Sequence, residues 1–256
     1  MLNTAIAAAR AAGAIIRDGY GNLREHEVAL KGKGDFVTEV DHASEEAVIS
    51  IIREQFPAHS ILAEESGARP GSGVCWVIDP LDGTSNFVHS IPVFGVSIGC
   101  LKDNELVCGV IYNPVTEELF TAEKGGGAFL NSRPIAVNSD KQIGEAFLAT
   151  GFPWRQADLV PSYLKGLETL LMQGGGVRRL GAAAIDLAYT ACGIFDGFWE
   201  MKLKPWDMAA GALIVREAGG LVSDFSGEDR FLDTGSIVAG SPSVFRQILE
   251  RLPSDG

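Results

Sequence analysis

The amino-acid sequence predicts a layered α/β (α+β) sandwich, in which layers of helix alternate with layers of sheet. Segments with apolar residues three and four positions apart alternate with short runs rich in Val, Ile and Phe, which indicate helices and strands respectively. The 256 residues are 46% hydrophobic and 21% charged, as in ordinary globular proteins with a full core. Because no internal repeat or linker divides the chain, we predict a single domain over residues 1–256 with two packed subdomains, roughly 1–140 and 141–256.

The first part of the chain is predicted to form two helices and then a set of strands. Residues 2–19 are rich in Ala and Ile at helical spacing. A second helix is expected from Asp41 to Phe56, because Pro57 stands just beyond its end. The buried face of that helix is expected to carry Ala47, Val48, Ile51 and Ile52. From about residue 74 to 130, short apolar runs separated by Asn-Pro and Gly-Gly-Gly are typical of consecutive strands.

The rest of the chain is predicted to alternate between strands and helices. Strands are expected near residues 146–150, 177–180, 195–201, 221 and 237. Helices are expected near residues 161–172, 182–191, 207–218 and 241–252. This interleaving is what predicts alternating layers instead of an all-helical or all-strand fold.

Charge and cysteine content limit the classes of function and location. The 33 Asp and Glu residues against 21 Lys and Arg give a net charge of −12, which argues against broad nucleic-acid or anionic-membrane binding and permits cation sites. The four cysteines form no C-x-x-C pair, as expected of buried thiols in a reducing compartment. Arg10 and Arg17 interrupt the apolar start of the chain, so we expect no signal peptide and no membrane span. We therefore expect a cytoplasmic protein.

Two carboxylates three positions apart are the most informative feature of the sequence. Asp79 and Asp82 follow the apolar run at 76–78, and Pro80 between them fixes φ and removes an amide donor. Both acids can therefore turn towards one point, where two like charges need a cation. The alternative is structural, with both carboxylates capping a helix.

The residues after this pair predict an anion site beside the cation. Gly83 permits close approach of the backbone, and Thr84 and Ser85 are expected to begin a helix. The free amides and the dipole at a helix start favour a bound anion such as phosphate. The alternative is that Gly83 only makes a turn.

Three further acidic segments can contribute to the same site. Glu64 and Glu65 follow an apolar run, at the kind of strand end where open α/β sheets place ligands, although they also fit a solvated loop. Asp207 precedes an apolar helix and Asp41 another; each is most simply an N-cap, and a cap can also be a ligand. Because all these donors are oxygens, Mg²⁺ or Mn²⁺ is favoured over zinc or copper.

Five segments in order and at matching spacing carry a resemblance to a known family. They are DFVTEVD at 35–41, EES at 64–66, WVIDPLDGTSNFVH at 76–89, GFPW at 151–154 and WDMAAGALIVREAGG at 206–220. Over nearly its whole length the chain resembles the inositol monophosphatases, of the bacterial inositol-1-monophosphatase type. The resemblance implies the inositol monophosphatase / fructose-1,6-bisphosphatase-like fold and Mg²⁺-dependent hydrolysis of inositol 1-phosphate to inositol and phosphate.

The same resemblance implies a role for each site residue. The implied metal ligands are Glu64, Asp79, the Leu81 carbonyl, Asp82 and Asp207, with Asp79 shared between two metals. Thr84, oriented by Asp41, and Glu64 are implied to position and deprotonate the attacking water. The implied substrate contacts are Gly83, Thr84, Ser85, Gly181, Ala183, Glu200 and Asp207. Without the resemblance, Glu200 could equally be a surface residue on an exposed strand edge.

Departures from the family pattern concern the substrate side. Ala182 stands where Ser or Thr is common, Ala63 where Gly is common, and Lys202 where Gly is usual. The metal ligands match, so phosphatase activity is better supported than strict inositol preference. The alternative substrates are fructose 1,6-bisphosphate, histidinol phosphate and 3′-phosphoadenosine 5′-phosphate.

The resemblance also implies partners and an inhibitor. Members of the family commonly form homodimers and are sensitive to lithium, which competes at a metal site. Relatives of the bacterial type bind transcription antitermination machinery, RNA polymerase with its Nus factors, so a regulatory role is an alternative to catalysis. Its local support is limited to the basic pairs Lys31 with Lys33 and Arg178 with Arg179.

Overall fold

A computed structural model describes residues 1–22, 28–32, 35–139, 141–153, 156–173 and 175–252. Its helices are α1 (Leu2–Gly19), α2 (Glu39–Gln55), α3 (Thr84–Val88), α4 (Val160–Leu171), α5 (Ala183–Ala191), α6 (Pro205–Glu217), α7 (Phe231–Thr234) and α8 (Pro242–Leu249), with a 3₁₀ helix at Ile143–Glu145. Its strands are β1 (Val28–Gly32), β2 (Asp35–Thr38), β3 (Ser60–Ala63), β4 (Gly67–Arg69), β5 (Val74–Asp82), β6 (Gly95–Lys102), β7 (Glu105–Asn113), β8 (Glu118–Glu123), β9 (Gly127–Leu130), β10 (Arg133–Ile135), β11 (Phe147–Thr150), β12 (Gly176–Arg178), β13 (Gly197–Glu200), β14 (Leu221–Ser223) and β15 (Ile237–Gly240).

Two mixed sheets form the framework. The larger sheet has the order β10-β9-β8-β7-β6-β5-β3-β4, and only its β3–β5 pair is parallel. The smaller sheet has the order β12-β11-β13-β15-β14, in which β11 is parallel to both β12 and β13. The β1–β2 hairpin stands apart from both sheets.

Helices cover both faces of these sheets, which gives the predicted alternation of layers. α1 and α2 pack on one face of the larger sheet, while α5 and α6 lie between the two sheets. α8 covers the other face of the smaller sheet, and α4 contributes Tyr163 and Leu170 to the core on that side. Each interface has its own buried apolar cluster, so the layers are held mainly by apolar burial. The division into subdomains near residue 140 stays a prediction.

Glycines on the larger sheet set the position of α6. A Cβ atom on Gly99 would lie 2.8 Å from the Cβ of Ala209, and one on Gly109 would lie 2.8 Å from the Ala210 carbonyl oxygen. Only a glycine at these positions lets the helix backbone lie this close to the strands. The start of α6 is thereby brought beside the end of β5.

The helices and strands predicted from the sequence are confirmed, with ends shifted by a few residues. α2 begins at Glu39, and its buried face differs from the predicted one: Glu45 and Ile49 are buried, whereas Ala47 and Ile51 are only partly buried. The sequence analysis does not predict β2, β4, β10 or α7, each of which has only three or four residues. Among the described helices, none has the length and apolar character needed to cross a membrane.

Candidate active site

A cavity of about 480 Å³ opens where β5 ends and α3, α5 and α6 begin. The residues predicted for the site that line it are Glu64, Asp79, Leu81, Asp82, Gly83, Thr84, Ser85, Gly181, Ala183, Glu200 and Asp207. Asp41 is the exception, because it is fully buried behind Thr84. Trp154 of the GFPW segment lies outside the described residues. The structure therefore brings the predicted residues from both halves of the chain to one cavity.

Three carboxylates face one another at the centre of this cavity. Oxygen atoms of Asp79, Asp82 and Asp207 lie within 4.8 Å of one another. On a regular strand, residues three apart point to opposite faces, but the pairing of β5 with β6 is irregular between Asp79 and Asp82. This irregularity turns both side chains to the same side, as the proline between them predicts. Glu64 lines the same cavity outside this cluster of three.

Each of the three carboxylates has one oxygen held by a backbone amide. The Leu81 amide donates to Oδ1 of Asp79 at 2.9 Å, and the Ala184 amide donates to Oδ2 of Asp82 at 2.7 Å. In the same way, the Lys204 amide donates to Oδ2 of Asp207 at 2.7 Å. These bonds fix the orientation of each carboxylate before any cation binds.

Burial and mutual repulsion raise the pKa values of carboxylates in this cluster. Burial raises the pKa of Asp79 well above its usual range, and the charges of Glu64, Asp82 and Asp207 raise it further. Burial, followed by the charge of Asp207, raises the pKa of Asp82 to about 8. Carboxylates this close together in a buried place are stable as anions only with a cation between them. The donor set, made only of oxygens, fits Mg²⁺ or Mn²⁺.

The N-cap interpretation of Asp41 and Asp207 is wrong for both residues. Thr38 caps α2, and Lys204 occupies the N-cap position of α6 without a capping bond from its side chain. Each aspartate is the third residue of its helix and accepts a hydrogen bond from the amide of the N-cap residue. For α2 this is the reciprocal capping box, in which the Thr38 hydroxyl also accepts from the Asp41 amide. An aspartate at this position accepts a hydrogen bond from the helix start with one carboxylate oxygen, and its other oxygen can bind a different partner.

The second oxygen of Asp41 holds the Thr84 hydroxyl. Thr84 Oγ1 lies 2.9 Å from Asp41 Oδ1 and 3.0 Å from the Leu81 carbonyl oxygen, and both partners are acceptors. The single Thr84 proton is therefore donated to one of these two oxygens, and the lone pairs of Oγ1 are left to accept a hydrogen bond from a water. Burial raises the pKa of Asp41, while hydrogen bonds from Thr38 and Thr84 lower it.

The turn into α3 requires glycine at position 83. Gly83 has φ of 88°, and a Cβ atom there would lie 2.9 Å from the Val93 carbonyl oxygen and 3.0 Å from the Cβ of Ala182. Thr84 and Ser85 begin α3, as predicted, and their amides belong to the first turn, which has no intrahelical acceptors.

The second half of the chain contributes further lining residues besides Asp207. Glu200 ends β13, and Gly181 and Ala183 precede and begin α5. The exposed side chain of Arg179 also lines the cavity, with its guanidinium 5.8 Å from the centre of the Phe152 ring. These residues therefore offer a carboxylate and a cation to a ligand.

Sequence reasoning missed three residues around the site. The Glu45 carboxylate is buried on α2 and accepts the amides of Glu65 and Ser66 at 2.8 and 2.9 Å, which fixes the turn that carries Glu64. Its position one helical turn after Asp41, on the apolar face, is the signal that could have found it. Asp186 is also buried, and neither of its oxygens has a hydrogen-bond partner among the described residues. The third is Gly151, which lies against Glu200.

Comparison with known proteins places this chain in a family. The model of the inositol monophosphatase family matches residues 1–254. The Nus factor SuhB of Pseudomonas aeruginosa is 48% identical over an alignment of 255 positions, which covers 97% of this chain and 94% of that protein. The structure of the extragenic suppressor protein suhB from Bartonella henselae has a TM-score of 0.93 at 40% identity, covering 99% of this chain and 98% of that one.

A second solved structure carries the family name. The inositol monophosphatase from Anabaena (Nostoc) sp. PCC 7120 has a TM-score of 0.86 at 40% identity and covers 99% of this chain and 96% of that one. The match therefore extends over both sheets and the whole cavity. On this sequence and structural similarity, the chain belongs to the inositol monophosphatase family.

Proposed function

We propose that this protein is a Mg²⁺-dependent phosphomonoesterase that hydrolyses inositol 1-phosphate to inositol and phosphate. The observation that carries the proposal is the cluster of Asp79, Asp82 and Asp207 beside the Thr84 hydroxyl in one cavity. A small ligand fits a cavity of about 480 Å³. Membership of the family supports the same activity.

The residues that would hold Mg²⁺ are all oxygen donors. They are Glu64, Asp79, the carbonyl of Leu81, Asp82 and Asp207. Bound Mg²⁺ would neutralise charge on the phosphate and make a nearby water more acidic. Mn²⁺ suits the same donors, and lithium inhibition would follow from competition for them.

Thr84, Asp41 and Glu64 would prepare the attacking water. Because the Thr84 proton is donated to Asp41 or to the Leu81 carbonyl, the Thr84 oxygen can accept a hydrogen bond from a water and orient it towards phosphorus. The Glu64 carboxylate lines the cavity and would accept the proton that the water loses. Asp41 keeps Thr84 in this orientation through Oδ1.

Backbone amides and the second half of the chain would hold the substrate. The amides of Gly83, Thr84 and Ser85 would donate to phosphate oxygens at the start of α3. The Glu200 carboxylate would accept hydrogen bonds from two neighbouring hydroxyls of the inositol ring. Gly181 and Ala183 have no bulky side chains, which leaves space for the ring beside them.

Two further properties belong to this proposal. We expect a homodimer, as the family resemblance implies. We also expect a cytoplasmic location, since all four cysteines are free thiols.

Phosphate release from a panel of esters tests the proposal. Wild type and Asp82→Asn are assayed on inositol 1-phosphate, fructose 1,6-bisphosphate, histidinol phosphate and 3′-phosphoadenosine 5′-phosphate, with and without Mg²⁺. We expect Mg²⁺-dependent release, fastest on inositol 1-phosphate and lost in Asp82→Asn. Faster release from another ester would keep the site and replace the substrate, and no release from any ester would reject the phosphatase.

A regulatory role is a second candidate, because the relative that is 48% identical over nearly the whole chain is named a Nus factor. Of the basic pairs suggested as local support, Lys33 lies outside the described residues, and Arg179 lines the catalytic cavity. Retention of RNA polymerase or Nus factors by both wild type and Asp82→Asn would support a binding role that is separate from catalysis. Retention by neither would remove this candidate.

A further inference from the structure

Glu200 lies directly over a residue that has no side chain. β11 and β13 are parallel neighbours with Thr150 opposite Trp199, so that Gly151 and Glu200 come next to each other just beyond this pair. A Cβ atom on Gly151 would overlap the Glu200 carboxyl group, and the three nearest atoms to that position all belong to this carboxyl. The Glu200 carboxylate therefore occupies the space where any other residue at 151 would place its side chain.

We infer that Gly151 is a positioning residue that sets the place of the Glu200 carboxylate in the cavity and thereby the recognition of substrate hydroxyls. This inference rests on the proposed function and adds a residue to it. The carboxyl ends of parallel strands are where such sheets place ligands, and both residues stand at such an end. Without a side chain at 151, the carboxylate can lie flat against the end of β11.

The backbone around Gly151 is held in place. The Thr150 hydroxyl donates to the Trp199 carbonyl oxygen at 2.8 Å, and Thr150 Oγ1 and the Tyr163 hydroxyl oxygen lie 2.7 Å apart. Thr150, Trp199 and Tyr163 are all buried. A new side chain at 151 thus cannot be accommodated by separating the two strands, and the Glu200 side chain has to move.

Alanine should be tolerated better at position 151 than at other glycines that make close contacts. Gly151 does not have a positive φ, so alanine can adopt its backbone conformation. The atoms that a Cβ would meet are the far end of a flexible side chain, whereas at Gly109 they are backbone atoms of α6. We therefore expect Gly151→Ala to fold and to displace the Glu200 carboxylate.

Steady-state kinetics on two substrates tests the inference. Wild type, Gly151→Ala, Glu200→Ala and the double variant are assayed on inositol 1-phosphate and on phenyl phosphate, which has no hydroxyls for Glu200 to bind. We expect Gly151→Ala to raise KM for inositol 1-phosphate about tenfold, with kcat changed less than about threefold, because a charged hydrogen bond is lost. For phenyl phosphate, KM should change less than about twofold.

The Glu200→Ala background is the matched control, because it has no carboxylate to displace. There, adding Gly151→Ala should change KM for inositol 1-phosphate less than about twofold. An equal rise in KM in both backgrounds, an equal loss on both substrates, or an unchanged KM would each overturn the inference. Thermal unfolding of all variants shows whether each is folded.

The wild-type rates separate this inference from the proposed function. If wild type hydrolyses inositol 1-phosphate and Gly151→Ala does so equally well, only the inference fails. If wild type hydrolyses phenyl phosphate but not inositol 1-phosphate, the proposed substrate fails, and the role of Gly151 in hydroxyl recognition fails with it.

Discussion

In one part of the cavity, Asp79, Asp82 and Asp207 face one another, each with one oxygen fixed by a backbone amide. In another part, a single carboxylate, Glu200, lies against a glycine. We call these the phosphate end and the hydroxyl end. The carboxylates of the phosphate end repel one another and need a cation, whereas the hydroxyl end depends on the space that Gly151 leaves for the Glu200 carboxylate. Substitutions that change charge should therefore affect activity most at the phosphate end, and substitutions that change side-chain size should affect it most at the hydroxyl end.

The largest expected effect is the loss of one carboxylate charge at the phosphate end. Asp82→Asn keeps an oxygen that can accept the Ala184 amide, so the fold is retained, but the cation loses a ligand. We expect kcat for phosphate release at saturating Mg²⁺ to fall about a thousandfold. Retention of more than about a tenth of the wild-type kcat would show that this end does not depend on its charge.

Removal of the Thr84 hydroxyl should have the next largest effect. Thr84→Val keeps the shape of the side chain but cannot accept a hydrogen bond from a water, and it leaves Oδ1 of Asp41 without this donor. We expect kcat to fall about a hundredfold, and Thr84→Ser, which keeps the hydroxyl, to fall less than about tenfold. The two kcat values are compared at saturating Mg²⁺ and substrate. Equal losses in both variants would show that the hydroxyl contributes no more than the methyl group, which would contradict the prediction.

The phosphate end should also determine how the stability of the protein depends on pH. Because the pKa of Asp82 is about 8 in the folded protein and 3.8 is its ordinary value, the unfolded chain gives up its proton first. The protein without Mg²⁺ should therefore lose stability as the pH rises from about 4 to about 8. We expect the midpoint of thermal unfolding in EDTA to be several degrees higher at pH 5.5 than at pH 8.

Two controls accompany the pH experiment. Mg²⁺ should raise the midpoint more at pH 8 than at pH 5.5, because protons compete with the cation for the same oxygens. Asp82→Asn in EDTA should show a weaker dependence on pH. A midpoint in EDTA that rises with pH over this range would contradict the prediction.

The smallest expected effect is at the rim of the hydroxyl end. Lys202 lines the cavity with φ of 65°, a left-handed conformation that disfavours any residue with a Cβ atom. Lys202→Gly should stabilise the protein by about 0.5 kcal/mol, since relief of this strain exceeds the entropy that glycine adds to the unfolded chain. Denaturant unfolding measures the difference. Lys202→Ala removes the same charge and keeps the Cβ atom, so an equal gain in that variant would assign the effect to charge.

The two ends also differ in how well the sequence predicts them. Asp79, Asp82, Gly83 and Thr84 lie within six consecutive residues, so a local pattern of strand, carboxylates and helix start is enough to predict the phosphate end. The contact between Gly151 and Glu200 depends on the register of β11 against β13, which no local pattern contains. Proximity of distant segments is therefore the part of the site that the sequence alone could not predict.

The fold shows the same division between local and distant information. Long periodic helices and apolar strands are predicted correctly, because periodicity within one segment indicates its type. The start of α2 is misplaced because Thr38 and Asp41 are both good capping residues, and only the hydrogen bonds show which one caps. The buried position of Glu45 follows from a tertiary contact with the amides of Glu65 and Ser66.

The position of Asp207 in the chain determines when the carboxylate cluster is assembled during folding. Asp79 and Asp82 end β5, whereas Asp207 comes from α6, which packs on the larger sheet and is tied to it by the Ser97 hydroxyl donating to the Trp206 carbonyl oxygen at 3.0 Å. A chain still emerging from the ribosome without α6 has only two of the three carboxylates of the cluster. The proposed site for a divalent cation would thus be complete only when α6 has docked on the larger sheet, and cation binding would report that docking.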